Sequence, residues 1–71
     1  MTAIEINTPF ITLGQFLKYV NLASSGGEVK AHLAAARIFV NGVAENRRGK
    51  KCYPGDRIEI DGTSWCIQPC S

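Results

Sequence analysis

An Asn-Gly pair at positions 41 and 42, set between Ile38-Phe39-Val40 and Val43-Ala44-Glu45, constrains this chain more than any other stretch. Both residues tolerate the positive φ that a type I′ turn demands at its two central positions, so the flanking runs are predicted to fold back as a β-hairpin. Immediately after it comes Asn46-Arg47-Arg48-Gly49-Lys50-Lys51, which holds four of the chain's eight Lys and Arg residues and is followed by no acidic residue until Asp56. Gly49 predicts a bend or bulge rather than a flat strand, and a bend spreads the four cations around a concave edge.

Upstream, Thr2 to Ile6 alternates with Ile4 and Ile6 on one side and Glu5 on the other, the pattern of a short strand at a sheet edge, ended by Asn7-Thr8-Pro9. Thr12 is placed to cap a first helix, with Gln15 reaching back and Ile11 stapling onto Phe16. Leu13, Phe16, Leu17 and Val20 form its buried stripe, and Lys18 falls off it into solvent. After a break from Leu22 to Gly27, Ser25 and Glu28 form a second capping box, and the helix they open is expected to reach about Arg37. Val29, Leu33 and Ala36 share its apolar face, Lys30 and Arg37 stack on a stripe beside it, and His32 packs on the opposite flank. Beyond the basic run, Pro54-Gly55-Asp56 is a turn and Arg57 to Ile60 a strand with Ile58 and Ile60 inward. Asp61-Gly62 turns again into a last strand from Thr63 to Ile67, with Pro69 closing the fold and a loose tail.

These elements define an α+β fold: two short N-terminal helices packed on a small, bent, mainly antiparallel sheet. The 71 residues are expected to form one domain with its core motif at 12–61. A chain of this size buries roughly 60% of the surface its unfolded form exposes, which leaves no room for a deep catalytic cavity. No apolar run approaches the roughly 18 residues of a membrane span, and no signal or lipidation motif opens the chain, so a cytoplasmic location without membrane contact is expected. Three cysteines, Cys52, Cys66 and Cys70, fit reduced thiols better than a disulfide framework or a zinc knuckle.

The net charge of +2 is too small to name a partner, but its distribution is informative. A run of charge is commonly just a solvated loop. Here Arg47 and Arg48 bring guanidinium forks suited to phosphate, Lys50 and Lys51 add point charges, and Lys30 and Arg37 sit on the helix leading into the same hairpin. Six cations on one edge would release counterions from a polyanion, and contacts of that kind select by shape rather than base sequence. Ser25, Gly26 and Gly27 at a helix start are a candidate phosphate seat. Asn41 is explained by its turn, with a backbone contact to RNA as a second role. Trp65 reads as core rather than as a base-stacking platform, since only Tyr53 and Phe39 could interleave with the cations. The acids are accounted for by caps, turns and exposed strand positions, and no pair suits acid-base catalysis. No catalytic residue, metal, cofactor or small-molecule substrate is expected.

Leu13 to Asp61 resembles the small RNA-binding domain typified by ribosomal protein S-four, also called the αL motif. The runs VNG at Val40 to Gly42 and ENRRGKKCYPGD at Glu45 to Asp56 are similar to its short stand-alone bacterial form, the YaaA/YbcJ-like proteins. The resemblance implies a helix-loop-helix on a bent sheet that grips structured RNA without catalysis. Its RNA-facing set would be Lys30, Arg37, Asn41, Arg47, Arg48, Lys50 and Lys51. Two positions depart from the pattern: Gly26 stands where many relatives have arginine, and Ala36 where they have glycine. The first departure shifts the phosphate-binding load onto Arg47 to Lys51. The function expected is binding of ribosomal or transfer RNA, free or on a ribosomal particle. A small adaptor docking an acidic protein surface in translation or replication machinery is the alternative, and DNA binding would be separated from RNA binding by competition.

Overall fold

Isoleucines at alternate positions set the sheet of the structure, a computed structural model that describes residues 1–70. In chain order the elements are β1 (Thr2–Ile6), β2 (Ile11–Thr12), α1 (Leu13–Tyr19), α2 (Gly26–Ala35), β3 (Ile38–Val40), β4 (Val43–Ala44), β5 (Lys51–Cys52), β6 (Arg57–Ile60) and β7 (Thr63–Pro69). Five strands form one mixed sheet in the order β1-β7-β6-β3-β4. Ile4, Ile6, Ile38, Val40, Ile58, Ile60 and Ile67 are buried, and they share one core with Leu13, Phe16, Leu17, Val29, Leu33 and Cys52. The period of two on the strands and of three to four on the helices thus brings both sets to one interior.

The α+β class stands, with one correction to the arrangement. The helices are not N-terminal, since β1 and β2 precede them, and β1 lies parallel to β7, with Thr2 opposite Trp65 and Ile6 opposite Pro69. Strand β1 does take the sheet edge that its alternation implied. The backbone amide of Cys70 donates to the Ile6 carbonyl at 2.7 Å, so Gln68 to Cys70 are held rather than loose, and the rest of the expected loose tail, Ser71, lies outside the described residues. A second ribbon, not expected from the sequence, pairs Ile11 with Cys52 and Thr12 with Lys51, and the side chains of Ile11 and Phe16 are both buried in the one core.

Thr12 caps α1, its hydroxyl accepting the Gln15 amide while the Gln15 side chain accepts the Thr12 amide. At α2 the box is shifted by one residue. Ser25 accepts the Glu28 amide, but the Glu28 carboxylate accepts from the amide and hydroxyl of Ser24. Helix α2 stops at Ala35, two residues short of the expected end, because Ala36 is extended and Arg37 is already drawn toward β6. There the Arg37 amide donates to Asp61 Oδ1 at 3.0 Å and the Arg37 carbonyl accepts the Asp61 amide at 2.9 Å. Asn41 and Gly42 have φ of 53° and 82°, as the type I′ turn requires. Trp65 is half-buried and packs edge-on against Phe16, their ring centroids 5.4 Å apart, which makes it part of the core.

Candidate nucleic-acid interface

The basic loop is not free. Strand β4 ends at Ala44, and the chain from Glu45 to Lys50 crosses in front of the start of α1 as an irregular loop. The first two amides of that helix, which have no partner within it, donate to this loop: Leu13 to the Lys50 carbonyl at 2.8 Å and Gly14 to the Arg48 carbonyl at 2.9 Å. Arg47 to Lys50 close a turn, with the Lys50 amide donating to the Arg47 carbonyl at 3.2 Å. Gly14 is buried beneath, where a Cβ would lie 3.4 Å from the Arg48 carbonyl oxygen and 3.6 Å from the Arg48 Cβ. Two helix-end amides with unmet hydrogen bonds thereby fix the backbone that carries the cations.

Glu45 orders the loop from the other end. Its carboxylate accepts from the backbone amides of Asn46 and Arg47, at 3.2 and 3.1 Å, and from the Arg47 guanidinium. Its side chain is 11% exposed, and the hydrogen bonds from Arg47 hold its carboxyl down at about 2. Arg47 is accordingly raised above its ordinary value. This is the single ion pair among the described residues, so Lys30, Arg37, Arg48, Lys50 and Lys51 have no carboxylate partner there.

The loop sends its side chains to two sides. Arg48 and Asn46 share a hollow with Lys30, Leu33 and Ala34 of α2, and the Arg48 Nη2 lies 3.9 Å from the point where a Gly26 Cβ would stand. Where the resemblance led to an arginine at position 26, the same space is reached by a guanidinium from the loop. Arg47, Lys50 and Lys51 line the other side together with Tyr53. Arg37 lines neither hollow but a groove beside Ile38, Phe39 and Glu45, which adjoins that of Lys30 and Arg48 through Leu33, Ala34 and Asn46, because α2 ends before Arg37 and it does not continue the stripe of Lys30. Asn41 is also engaged elsewhere. Its carboxamide donates to Asp56 Oδ1 at 3.0 Å and accepts the Arg57 amide at 2.9 Å, tying the hairpin turn to the turn before β6.

Ser25 uses its hydroxyl on Glu28, and Gly26 and Gly27 begin α2 next to Arg48, so the candidate phosphate seat and the basic loop adjoin. Phe10 was missed from sequence. Its ring lies 5.7 Å from that of Tyr53, and Lys51 Nζ sits 5.0 Å above it. The signal was there in Phe10 itself, an aromatic residue on no strand or helix face, but only the β2 and β5 pairing brings it to Lys51. Among the described residues, no three His, Cys, Asp or Glu side chains gather as a metal site, and no helix is long and apolar enough to cross a membrane.

A mixed sheet backed by two capped helices, with a cationic loop pinned to the start of α1 and reaching the start of α2 through Arg48, defines the class of small basic α+β domains that present charge on a rigid edge. The chain belongs to the S4 domain family, whose model matches residues 4–68. It is similar to the probable ribosome maturation protein RlbA of Bacillus subtilis (strain 168), with 49% identity over 59 residues that cover 83% of each chain.

Proposed function

We propose that this chain binds structured RNA, ribosomal or transfer RNA, without catalysis, acting as one unit from β1 to β7 in the cytoplasm. The segment 12–61 alone would lack β1 and β7, two of the five strands of the main sheet. The observation that carries the reading is the placement of Lys30, Arg48, Lys50 and Lys51 around one pinned loop, none with a carboxylate partner among the described residues. Unpaired cations on a rigid backbone gain more from phosphate than cations that must first leave an internal partner or be ordered. The Gly26 and Gly27 amides at the start of α2 add a seat for a phosphate beside Arg48. Such contacts recognise the shape of a folded RNA backbone. The printed name of the Bacillus relative points the same way, toward ribosome maturation, and makes ribosomal RNA or a ribosomal particle the first target to try.

The test is a salt titration of binding to ribosomal RNA fragments, with wild type beside a variant in which Arg47, Arg48, Lys50 and Lys51 are all replaced by alanine. Wild-type affinity should fall steeply with salt, and the variant should lose binding while keeping its melting transition. Equal affinity in the two proteins would overturn the proposal. Capture of an acidic protein, insensitive to nuclease, would replace it with the adaptor reading.

A further inference from the structure

We infer that Tyr53 is a stacking platform for one unpaired nucleobase of the bound RNA, placed beside the phosphate-binding cations and backed by Phe10. The inference rests on the RNA-binding reading of the same loop and specifies which RNAs that loop prefers.

Tyr53 is 47% exposed in a chain whose core takes in most of its large apolar side chains. One exposed tyrosine is ordinary. What sets this one apart is its surroundings. The hydroxyl of Tyr19, the other exposed tyrosine, donates to the Glu5 carbonyl at 3.0 Å, whereas that of Tyr53 has no partner among the described residues. The backbone under Tyr53 is fixed on both sides of its Cα: its amide donates to Asp56 Oδ2 at 2.8 Å and its carbonyl accepts the Asp56 amide at 2.9 Å. Phe10 supports the ring from one side, tilted at 49°, and Lys51 is held over Phe10. A hollow of about 400 Å³ next to the ring is lined by Arg47, Lys50 and Lys51. A rigid aromatic ring beside cations suits a nucleotide, with the base on the ring and its phosphate on the cations. Within a continuous duplex every base is already stacked on its neighbours, so only a bulged or looped nucleotide can use the site.

The test compares an RNA stem carrying one bulged 2-aminopurine with the same stem fully paired, against wild type, Tyr53→Ala, Tyr53→Leu, Tyr53→Phe and a Lys50→Ala/Lys51→Ala double variant. Leucine keeps the packing on Phe10 but has no aromatic face, so it guards against a folding defect in the alanine variant. Wild type and Tyr53→Phe should quench the fluorophore. The alanine and leucine variants should not, and should bind the bulged RNA roughly 5- to 150-fold more weakly while binding the paired stem as before. The double lysine variant should lose affinity for both RNAs. If Tyr53→Leu binds the bulged RNA as wild type does while the lysine variant is impaired, the stacking site is wrong and RNA binding stands. If wild type binds neither RNA, both fall.

Discussion

The guanidinium of Arg47 lies across the carboxylate of Glu45 through two hydrogen bonds, Nε to Oε2 at 2.9 Å and Nη2 to Oε1 at 3.1 Å. Oε2 also accepts the amides of Asn46 and Arg47, so one carboxylate holds the entry to the basic loop. Because the folded carboxyl sits at about 2 and its ordinary value is 4.5, its contribution to stability is present above pH 4.5 and is lost as pH falls toward 2. Glu45→Gln should therefore flatten the decline in melting temperature between pH 5 and about pH 2.5 relative to wild type, read by thermal denaturation across that range. The exposure of Arg47 limits the size of the effect.

Adjacent in sequence, Arg47 and Arg48 should contribute unequally to RNA binding. Arg47 already commits its Nε and one Nη2 proton to Glu45, which leaves it fewer donors for a phosphate, whereas Arg48 has no carboxylate partner among the described residues. Arg48→Ala is expected to weaken binding more than Arg47→Ala and to lower the slope of log affinity against log salt by about one. Titrations at several salt concentrations check both.

The nearness of Arg48 to Gly26 gives a compensation test. In an Arg48→Ala background, Gly26→Arg should recover part of the lost affinity, because it returns a guanidinium to the same hollow from the helix side. Gly26→Arg with Arg48 present should gain little, since two like charges then share that space. Filter binding of the four proteins to one RNA decides the matter.

Asn41 is expected to matter for stability more than for RNA affinity. Asn41→Ala removes the bonds to Asp56 and Arg57 and puts at φ 53° a residue that tolerates the left-handed region less well than asparagine, a cost of about 1 to 2 kcal/mol in urea denaturation. Asn41→Gly relieves the backbone but not the lost bonds. A double-mutant cycle with Asp56→Ala should show coupling of about 0.5 kcal/mol or more.

The cysteines should separate by reactivity. Burial pushes the Cys52 thiol up to about 11, and Cys70 is exposed. Alkylation of the native protein at pH 8 should mark Cys70 first and Cys52 only after denaturant is added, as peptide mass spectrometry would show.

Much of this could be read from local pattern. The type I′ turn, the capping box at Thr12, the inward Ile58 and Ile60, and the turn at Pro54 to Asp56 each depend on a few neighbouring residues whose backbone preferences are strong. The likeness to the S4 domain spans Leu13 to Asp61 in the sequence, with the runs at Val40 to Gly42 and Glu45 to Asp56 pointing to its short stand-alone form, and the family model matches residues 4–68. Less legible were the end of α2, which Asp61 decides from 24 residues away, and the loop conformation, which the amides of Leu13 and Gly14 decide from across the fold.

Sequence by itself determined the two helices, the hairpin, the inward isoleucines of β1 and β6 and the presence of a dense basic run, because periodicity, caps and turns are short-range properties. Tertiary structure alone decided that β1 pairs with β7 and β2 with β5, that Arg48 reaches Gly26 while Arg37 lines a neighbouring groove, and that Phe10 meets Lys51 and Tyr53. Those placements follow from hydrogen-bond partners and packing surfaces far apart in the chain, and no local preference encodes the distance between two side chains that the fold brings together.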